Sequence, residues 1–128
     1  MMDIVKKIIE GLEKKGYKVM ERGKIRGESG IEHTFDAMIL GPKGKRIAVT
    51  VLERLGFEHV IPLLAFRNDC RIPHIVLTKE IEVGVEKLLK NSNIVVIHFK
   101  DLSVAYDHPG LREDQVLEKV LKLLEDTT

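Results

Sequence analysis

The chain has 128 residues, of which 44% are hydrophobic and 32% are charged, and its formal net charge is +1. This size and composition are typical of one compact domain with a single core, so we expect one domain over residues 1–128. The near-neutral net charge excludes a polycation built to coat nucleic acid.

Charge is distributed unevenly along the chain. Residues 1–54 hold 12 Lys and Arg against 8 Asp and Glu, a net charge of +4, whereas residues 55–128 carry −3. This asymmetry fits a basic groove in the first part, but solvated helix faces rich in Lys and Glu explain it better. Abundant Lys and Glu with few Asn and Gln favour a thermophilic source.

No feature of the sequence indicates a membrane or an oxidising compartment. No apolar run approaches the ~20 residues that cross a bilayer, and charges interrupt the amino-terminal segment MMDIVKKIIEGLEKKG. We therefore expect a cytoplasmic protein without membrane contact. Cys70 is the one cysteine in the sequence, so it offers no internal disulfide, zinc knuckle or CxxC pair, and we expect it to be inert.

The first half of the chain predicts a helix and three strands. Apolar residues recur at three- and four-residue spacing from Met2 to Lys15, which predicts an amphipathic helix that ends at Gly16. YKVMER alternates like a short strand, and we expect a loop around Gly23, Gly27 and Gly30. HTFDAMIL and RIAVTVLE flank GPKGK, which predicts a hairpin at the centre of the sheet.

The second half predicts alternating helices and strands. FEHVIPLLAFRNDC has helical spacing, with Pro62 suited to a first turn or a kink. HIVLT and NIVVIHF are typical of buried parallel strands, and residues 80–90 between them predict a crossover helix. SVAYDHPG is expected to be a loop, followed by a last helix over residues 112–126. This order predicts an α/β fold with a mixed sheet and helices on both faces.

One segment carries a resemblance to a known family. GESGIEHTFDAMILGPKGKRIAVTVLER, residues 27–54, resembles the core of the PD-(D/E)xK nucleases, especially their Mrr-like and archaeal Holliday-junction-resolvase-like branches. The later segment HIVLTKEIEVGVEKLLKNSNIVVIHFKDL is similar to the rest of that fold, so that the resemblance covers residues 1–102. It implies a restriction-endonuclease-like three-layer α/β/α domain with a mixed central sheet, an archaeal source and nuclease chemistry on DNA.

The resemblance assigns the family's metal-binding aspartate to Asp36. In that family the partner strand supplies a second carboxylate and a lysine, because two carboxylates hold Mg²⁺ and the lysine orients the attacking water. Aligning AVTVLE places Thr50 at the acid position and Leu52 at the lysine position. The resemblance therefore implies an eroded site that needs no cofactor, or Mg²⁺ at Asp36 if catalysis survives.

Two other acids are candidates for a relocated site. Glu53 reaches the face of Asp36 only if a bulge turns the end of the strand. Glu10 is a further candidate because relatives of the resolvase branch use an acid on the first helix, although its distance from Gly16 does not match their pattern well and a solvated helix face explains it better. A lone Asp36 should find Ser, His or backbone donors, because an unpaired buried carboxylate is costly.

Five cations flank the expected cleft and are candidates for nucleic-acid binding. Each cation that neutralises a phosphate adds affinity, although charged hairpin tips that only keep a domain soluble are an equal alternative. These candidates are Lys24, Arg26, Lys43, Lys45 and Arg46.

His33 and the Gly-rich loop are the remaining candidates. His33 lies three residues before Asp36, which on a strand puts the two side chains on opposite faces. We expect His33 to close the loop through a backbone hydrogen bond, with phosphate contact as the alternative. Glu28, Ser29 and Gly30 form a turn whose amides could meet a phosphate, although a plain turn is more common.

Three functions stay open at this point. The first is a catalytically eroded nuclease fold that keeps nucleic-acid binding or serves as an accessory subunit. The second is an active Mg²⁺-dependent DNA endonuclease in which Asp36 works with Glu53 or Glu10. The third is a homodimeric interaction domain without a nucleic-acid partner, whose contact is the apolar strip of the last helix. A homodimer is the expected oligomeric state.

Overall fold

The computed structural model describes residues 2–41, 44–99 and 110–127 of the chain. In chain order, its elements are α1 (Met2–Lys14), β1 (Lys18–Arg26), β2 (Glu32–Leu40), β3 (Arg46–Leu55), a 3₁₀ turn (Phe57–His59), α2 (Val60–Cys70), β4 (His74–Ile81), α3 (Val85–Leu89), β5 (Ile94–His98) and α4 (Glu113–Thr127).

The strands form one mixed sheet in the order β1-β2-β3-β4-β5. The first three strands pair antiparallel, whereas β3, β4 and β5 pair parallel. Antiparallel neighbours need only a hairpin, but each parallel pair needs a crossover, which α2 and α3 supply. The predicted α/β class with a mixed sheet is confirmed, and β3 is its central strand.

Helices cover both faces of the sheet. On one face, α1 and α4 pack together over apolar side chains of the strands, with Ile8, Leu12 and Val120 among the buried residues. On the other face, α2 and α3 cover two smaller clusters, one around Val76 and one around Phe66. The two faces therefore have separate cores, and the sheet lies between them as the middle layer.

The apolar strip of α4 is used inside the chain. Val116, Val120 and Leu124 are 0%, 2% and 2% exposed and belong to the cluster shared with α1. The expected dimer contact through this strip is therefore wrong, because these side chains are already covered by the chain's own core.

Two elements differ in length from the sequence-based expectation. β1 continues through the predicted loop because Gly23 pairs with Phe35 across the ladder to β2. α3 is only five residues long because β4 extends to Ile81 and Gly84 takes a left-handed conformation, with φ at 93°, just before the helix. Residues 103–109 of the predicted loop lie outside the described residues.

Other local predictions agree with the structure. Gly16 follows the end of α1 with a φ of 92°, and Pro62 lies in the first turn of α2, where a missing amide is tolerated. Within the described part of the chain, no helix is long and apolar enough to cross a bilayer.

Candidate functional site

The sheet divides between β2 and β3. Their antiparallel ladder ends at the pair Ala37 and Val49, although β2 goes on pairing with β1 and β3 goes on pairing with β4. Continuing the same register would place Asp36 opposite Thr50. These two residues therefore lie where the strands separate, a place that we call the fork.

At the fork, the side chain of Asp36 makes a hydrogen bond to β3 where the backbone ladder between β2 and β3 has ended. Its carboxylate Oδ2 accepts a hydrogen bond from the Val51 backbone amide at 2.6 Å. This amide lies just beyond the last ladder pair, and a backbone donor without a partner is unfavourable when it is removed from water. The expectation that Asp36 finds a backbone donor is confirmed, but its carboxylate is exposed and not buried as that expectation assumed. One oxygen of the carboxylate consequently serves the backbone of β3.

Thr50, at the acid position of the motif, is hydrogen-bonded to a buried histidine. Thr50 Oγ1 and His74 Nε2 share a hydrogen bond of 2.7 Å, and His74 is only 3% exposed. Burial lowers the pKa of His74 to about 4, so its imidazole is neutral at neutral pH. This pair holds the shape of the fork but supplies no negative charge for a metal ion.

Leu52, at the lysine position, faces the same side of β3 as Thr50, because side chains alternate along a strand. It packs against the apolar cluster that α2 and α3 cover, which includes Leu55 and Val76. An apolar side chain in this position can neither orient a water molecule nor stabilise a developing charge. At the position where the family's motif has its lysine, this chain therefore has a leucine that packs against the core.

An open groove of about 430 Å³ runs along the fork. Its lining includes Asp36 and Thr50 together with two cations of β1, Arg22 and Lys24. Arg22 has a φ of 54° and lies between the paired residues of β1, so that it interrupts the ladder to β2. The groove thus combines one carboxylate with two positive charges from the neighbouring strand.

The candidate relocated acids lie elsewhere. Glu53 pairs with Lys79 at 3.6 Å, and it lies on the same face of β3 as Val51, two residues earlier, which packs on the side covered by α1 and α4. The register of β3 with β4 continues past Glu53 without the bulge that would turn it to the other face. Glu10 is exposed on α1 itself. The structure does not bring either acid to Asp36.

The five predicted cations do not form one patch. Lys24 and Arg26 lie opposite the first residues of β2 in the β1–β2 ladder. Arg46 lies opposite Leu40, at the other end of β2. At about 3.3 Å per residue, roughly 20 Å or more of strand separates the two groups. Lys45 is exposed beside Arg46 at the hairpin, and Lys43 lies outside the described residues.

A second polar cluster joins the Gly-rich turn to the last turn of α2. The Asp69 carboxylate accepts hydrogen bonds from His33 Nε2 at 2.6 Å, from Ser29 Oγ at 2.7 Å and from the Ser29 amide at 2.8 Å. The bond from His33, followed by those from Ser29, holds the pKa of Asp69 below its ordinary value. We call these three residues the clamp.

The clamp corrects one expectation about the Gly-rich turn and agrees with another, that of a plain turn. His33 does close the turn, but it binds the side chain of Asp69 and not the backbone. The amides of Glu28, Ser29 and Gly30 donate to Asp69 or Gly27, so they are not available to a phosphate. Sequence reasoning missed Asp69 because 36 residues separate it from His33. The only signal was a polar residue near the end of an apolar helix.

No family model matches the chain. An uncharacterized protein of Archaeoglobus fulgidus is 84% identical over 128 residues, which is 100% of both chains.

Among solved structures, the chain is similar to a protein of unknown function, AF1548, with a TM-score of 0.61 and 13% identity over 93% of this chain and 66% of that one. It is also similar to a repair endonuclease from Pyrococcus abyssi, with a TM-score of 0.55 and 16% identity over 76% of this chain and 45% of that one. EndoMS in its apo form gives a TM-score of 0.52 and 16% identity over 78% of this chain and 46% of that one.

These structural similarities concern the fold. The chain has a nuclease-like α/β fold, similar to that of the Pyrococcus abyssi repair endonuclease and of EndoMS, each at 16% identity. It spans 66% of AF1548 and less than half the length of the Pyrococcus abyssi protein or of EndoMS.

Proposed function

The chain belongs to one family with the Archaeoglobus fulgidus protein, and from this premise we propose that it is a catalytically eroded PD-(D/E)xK domain that binds nucleic acid. The proposed domain covers residues 1–128, acts in the cytoplasm and has DNA as its partner. It needs no cofactor for this role.

The arrangement at the fork is the observation that carries the proposal. Mg²⁺ prefers six oxygen ligands in near-octahedral geometry and is usually held by one or two carboxylates together with substrate phosphates. Asp36 offers one carboxylate, which already accepts the Val51 amide, and its neighbour Thr50 is bound to the neutral His74. These residues do not fit a catalytic Mg²⁺ site.

The cations of the groove support a retained binding role. Arg22 and Lys24 line the groove beside Asp36, and Lys24 is only loosely paired with Glu32, at 3.8 Å between exposed side chains. Exposed ion pairs of this kind contribute little, so a phosphate can compete for the cation. Nucleic acid running along the fork would therefore meet positive charge where an active nuclease holds its metal.

Fluorescence anisotropy with a short DNA duplex, measured over a range of salt concentrations, tests the proposal. We expect binding that weakens steeply with salt, and replacing Arg22 and Lys24 together by Gln should lower the salt slope by about 1.8, or about 0.9 for each lost phosphate contact. The matched control replaces Lys87 and Lys90 by Gln, since these exposed cations lie on or next to α3, away from the fork. The control should leave the slope unchanged.

Cleavage assays distinguish the eroded domain from an active endonuclease. With Mg²⁺ or Mn²⁺ present, we expect the duplex to remain intact. Metal-dependent cleavage that disappears in Asp36→Ala would overturn the proposal and favour the active alternative. Equal loss of DNA affinity in the fork variant and in the α3 control would show that the groove is not the binding surface.

A further inference from the structure

The structure contains a group of metal-ligating side chains that the proposed function does not use. His33, Asp69 and Cys70 each offer one ligand atom, and these three atoms all lie within 4.8 Å of one another. We propose that they form a binding site for a borderline-soft divalent metal ion, with Zn²⁺ as the preferred ion. This proposal is independent of nucleic-acid binding at the fork.

The backbone already holds the three ligands near a coordinating arrangement. Asp69 and Cys70 are the last two residues of α2, and His33 lies on β2, so a bound ion would join a strand to a helix. Zn²⁺ bonds of about 2.0–2.3 Å to N, O and S place tetrahedral ligand atoms roughly 3.3–3.6 Å apart. The distance between His33 Nε2 and Asp69 Oδ2, which is 2.6 Å without metal, would lengthen by about 1 Å. The Cys70 sulfur lies within 4.8 Å of the other two ligand atoms and would move closer to them.

The chemistry of the donors selects the ion. An imidazole nitrogen, a carboxylate oxygen and a thiolate sulfur suit Zn²⁺ or Co²⁺, whereas Mg²⁺ and Ca²⁺ prefer oxygen ligands alone. On binding, the ion replaces the proton of the Cys70 thiol, which passes to solvent, and the proton on His33 Nε2 moves by way of solvent to Nδ1, so that Nε2 has a lone pair for the ion. Three protein ligands leave one tetrahedral position for water, as in zinc sites that are not fully closed.

The surroundings fit a metal site as well as the ligands do. Ser29 donates both its amide and its hydroxyl to the Asp69 carboxylate, which is how residues around a metal orient a ligand. The Phe66 ring packs edge-on against the His33 imidazole, with ring centroids 5.2 Å apart. The side chains of His33 and Asp69 are 20% and 14% exposed, so an ion has a path from solvent.

Titration with Co²⁺ followed by Zn²⁺ competition tests the site on the full chain in the absence of DNA. We expect one equivalent of Co²⁺ to give a thiolate-to-metal charge-transfer band and visible bands of a tetrahedral ion, and Zn²⁺ to displace it. Cys70→Ser should remove the charge-transfer band and weaken binding by more than about tenfold, because even residues that only orient a ligand have effects of that size. Asp69→Asn should weaken Co²⁺ binding similarly, and its amide oxygen can still accept from Ser29.

His59→Ala is the matched control. This histidine also lies beside a carboxylate, that of Glu58 at 3.8 Å, but it belongs to no group of three ligands among the described residues. The control should bind Co²⁺ with an unchanged spectrum and affinity. Folding of each variant is checked by its thermal unfolding without metal, so that loss of binding is not confused with loss of structure.

Two results would overturn the proposal. The first is a folded wild-type protein that shows no Co²⁺ band and no rise in melting temperature with Zn²⁺. The second is a band that persists in folded Cys70→Ser or disappears in His59→Ala. Either result leaves the clamp as a hydrogen-bonded contact and does not affect the proposed function, which is measured at the fork.

Discussion

His74 lies at the centre of a chain of contacts that ties the fork to α2. Its Nε2 atom shares a hydrogen bond with Thr50, and its ring lies 4.8 Å from that of Phe66, measured between centroids. The buried Nδ1 atom has no hydrogen-bond partner among the described residues. A proton added to this ring would place a charge in an apolar layer, so this histidine makes the stability of the fold depend on pH.

We expect the free energy of unfolding to fall as pH decreases from 6.5 to about 4. Because the pKa of folded His74 is lowered below its ordinary value, only the unfolded chain binds the proton in this window. The loss approaches about 1.4 kcal/mol per pH unit, and above the ordinary histidine pKa the contribution is constant. Urea unfolding at several pH values, compared with His74→Gln, measures it.

His74→Gln is neutral at every pH in this window and should lack this part of the pH dependence. Its stability curve should therefore approach that of the wild-type protein as pH falls toward 4. Parallel curves for the two proteins across the window would show that His74 is not the group responsible.

The residues of the fork were predictable only in part. Asp36 and the neutral replacements Thr50 and Leu52 followed from strand alternation once the resemblance was stated. The partner of Thr50 was not predictable, because the register of β3 against β4 depends on a crossover through α2. The contact of Asp69 with His33 was not predictable for the same reason. Contacts between distant segments carry no local pattern that a single sequence displays.

The Gly-rich turn between β1 and β2 fits closely against the end of α2. A side chain added at Gly27 would overlap the carboxylate of Asp69, whereas one added at Gly41 would meet the Lys45 carbonyl oxygen at an ordinary 3.6 Å. The two glycines thus differ in the space around them, although both lie in turns flanking β2. Gly27 is needed because the turn must approach the clamp.

We expect Gly27→Ala to lower the free energy of unfolding by about 1–3 kcal/mol, the usual cost of overpacking a fitted site. The added methyl group must push the Asp69 carboxylate away from Ser29 and His33. Gly41→Ala, whose new methyl group meets only ordinary contacts, should change stability by less. Urea unfolding of the two variants at neutral pH measures the difference, and equal stabilities would contradict the close fit.

Helices and strands with strong periodicity were predicted well, and those that depend on pairing were not. The amphipathic pattern of α1 predicted its extent to within one residue, because that helix buries one continuous stripe. β1 was predicted too short, because its second half has no apolar alternation and is held by pairing with β2. α3 was predicted too long, because its first residues continue β4.

At the scale of the whole molecule, the order of elements was enough to predict a mixed sheet between two helix layers. The hairpin and the apolar strands determined the antiparallel and parallel halves, respectively. The split between β2 and β3 was not predictable, since both strands carry regular patterns across it. A sequence pattern does not show where two neighbouring strands stop pairing.

The homodimer remains a prediction, but its contact surface cannot be the apolar strip of α4, which the chain's own core covers. With the strip of α4 buried, we expect a dimer contact to use exposed apolar side chains such as Val83, which is 92% exposed. We expect sedimentation at twice the mass of one chain, Val83→Asp to give the mass of one chain, and Lys119→Asp on the polar side of α4 to change nothing. A wild-type protein that sediments as a single chain would rule out the dimer.

The fork has a mechanical consequence. Beyond the end of the β2–β3 ladder, the second half of β1 and the start of β2 form a two-stranded flap that pairs with no further strand among the described residues. The described contacts fastening it to α2 are mainly the clamp and the packing of Ile25 and Phe35 around Phe66. Releasing the Asp69 carboxylate would therefore remove the polar attachment of this flap and leave its apolar packing, which favours local opening at the fork while both helix layers stay folded.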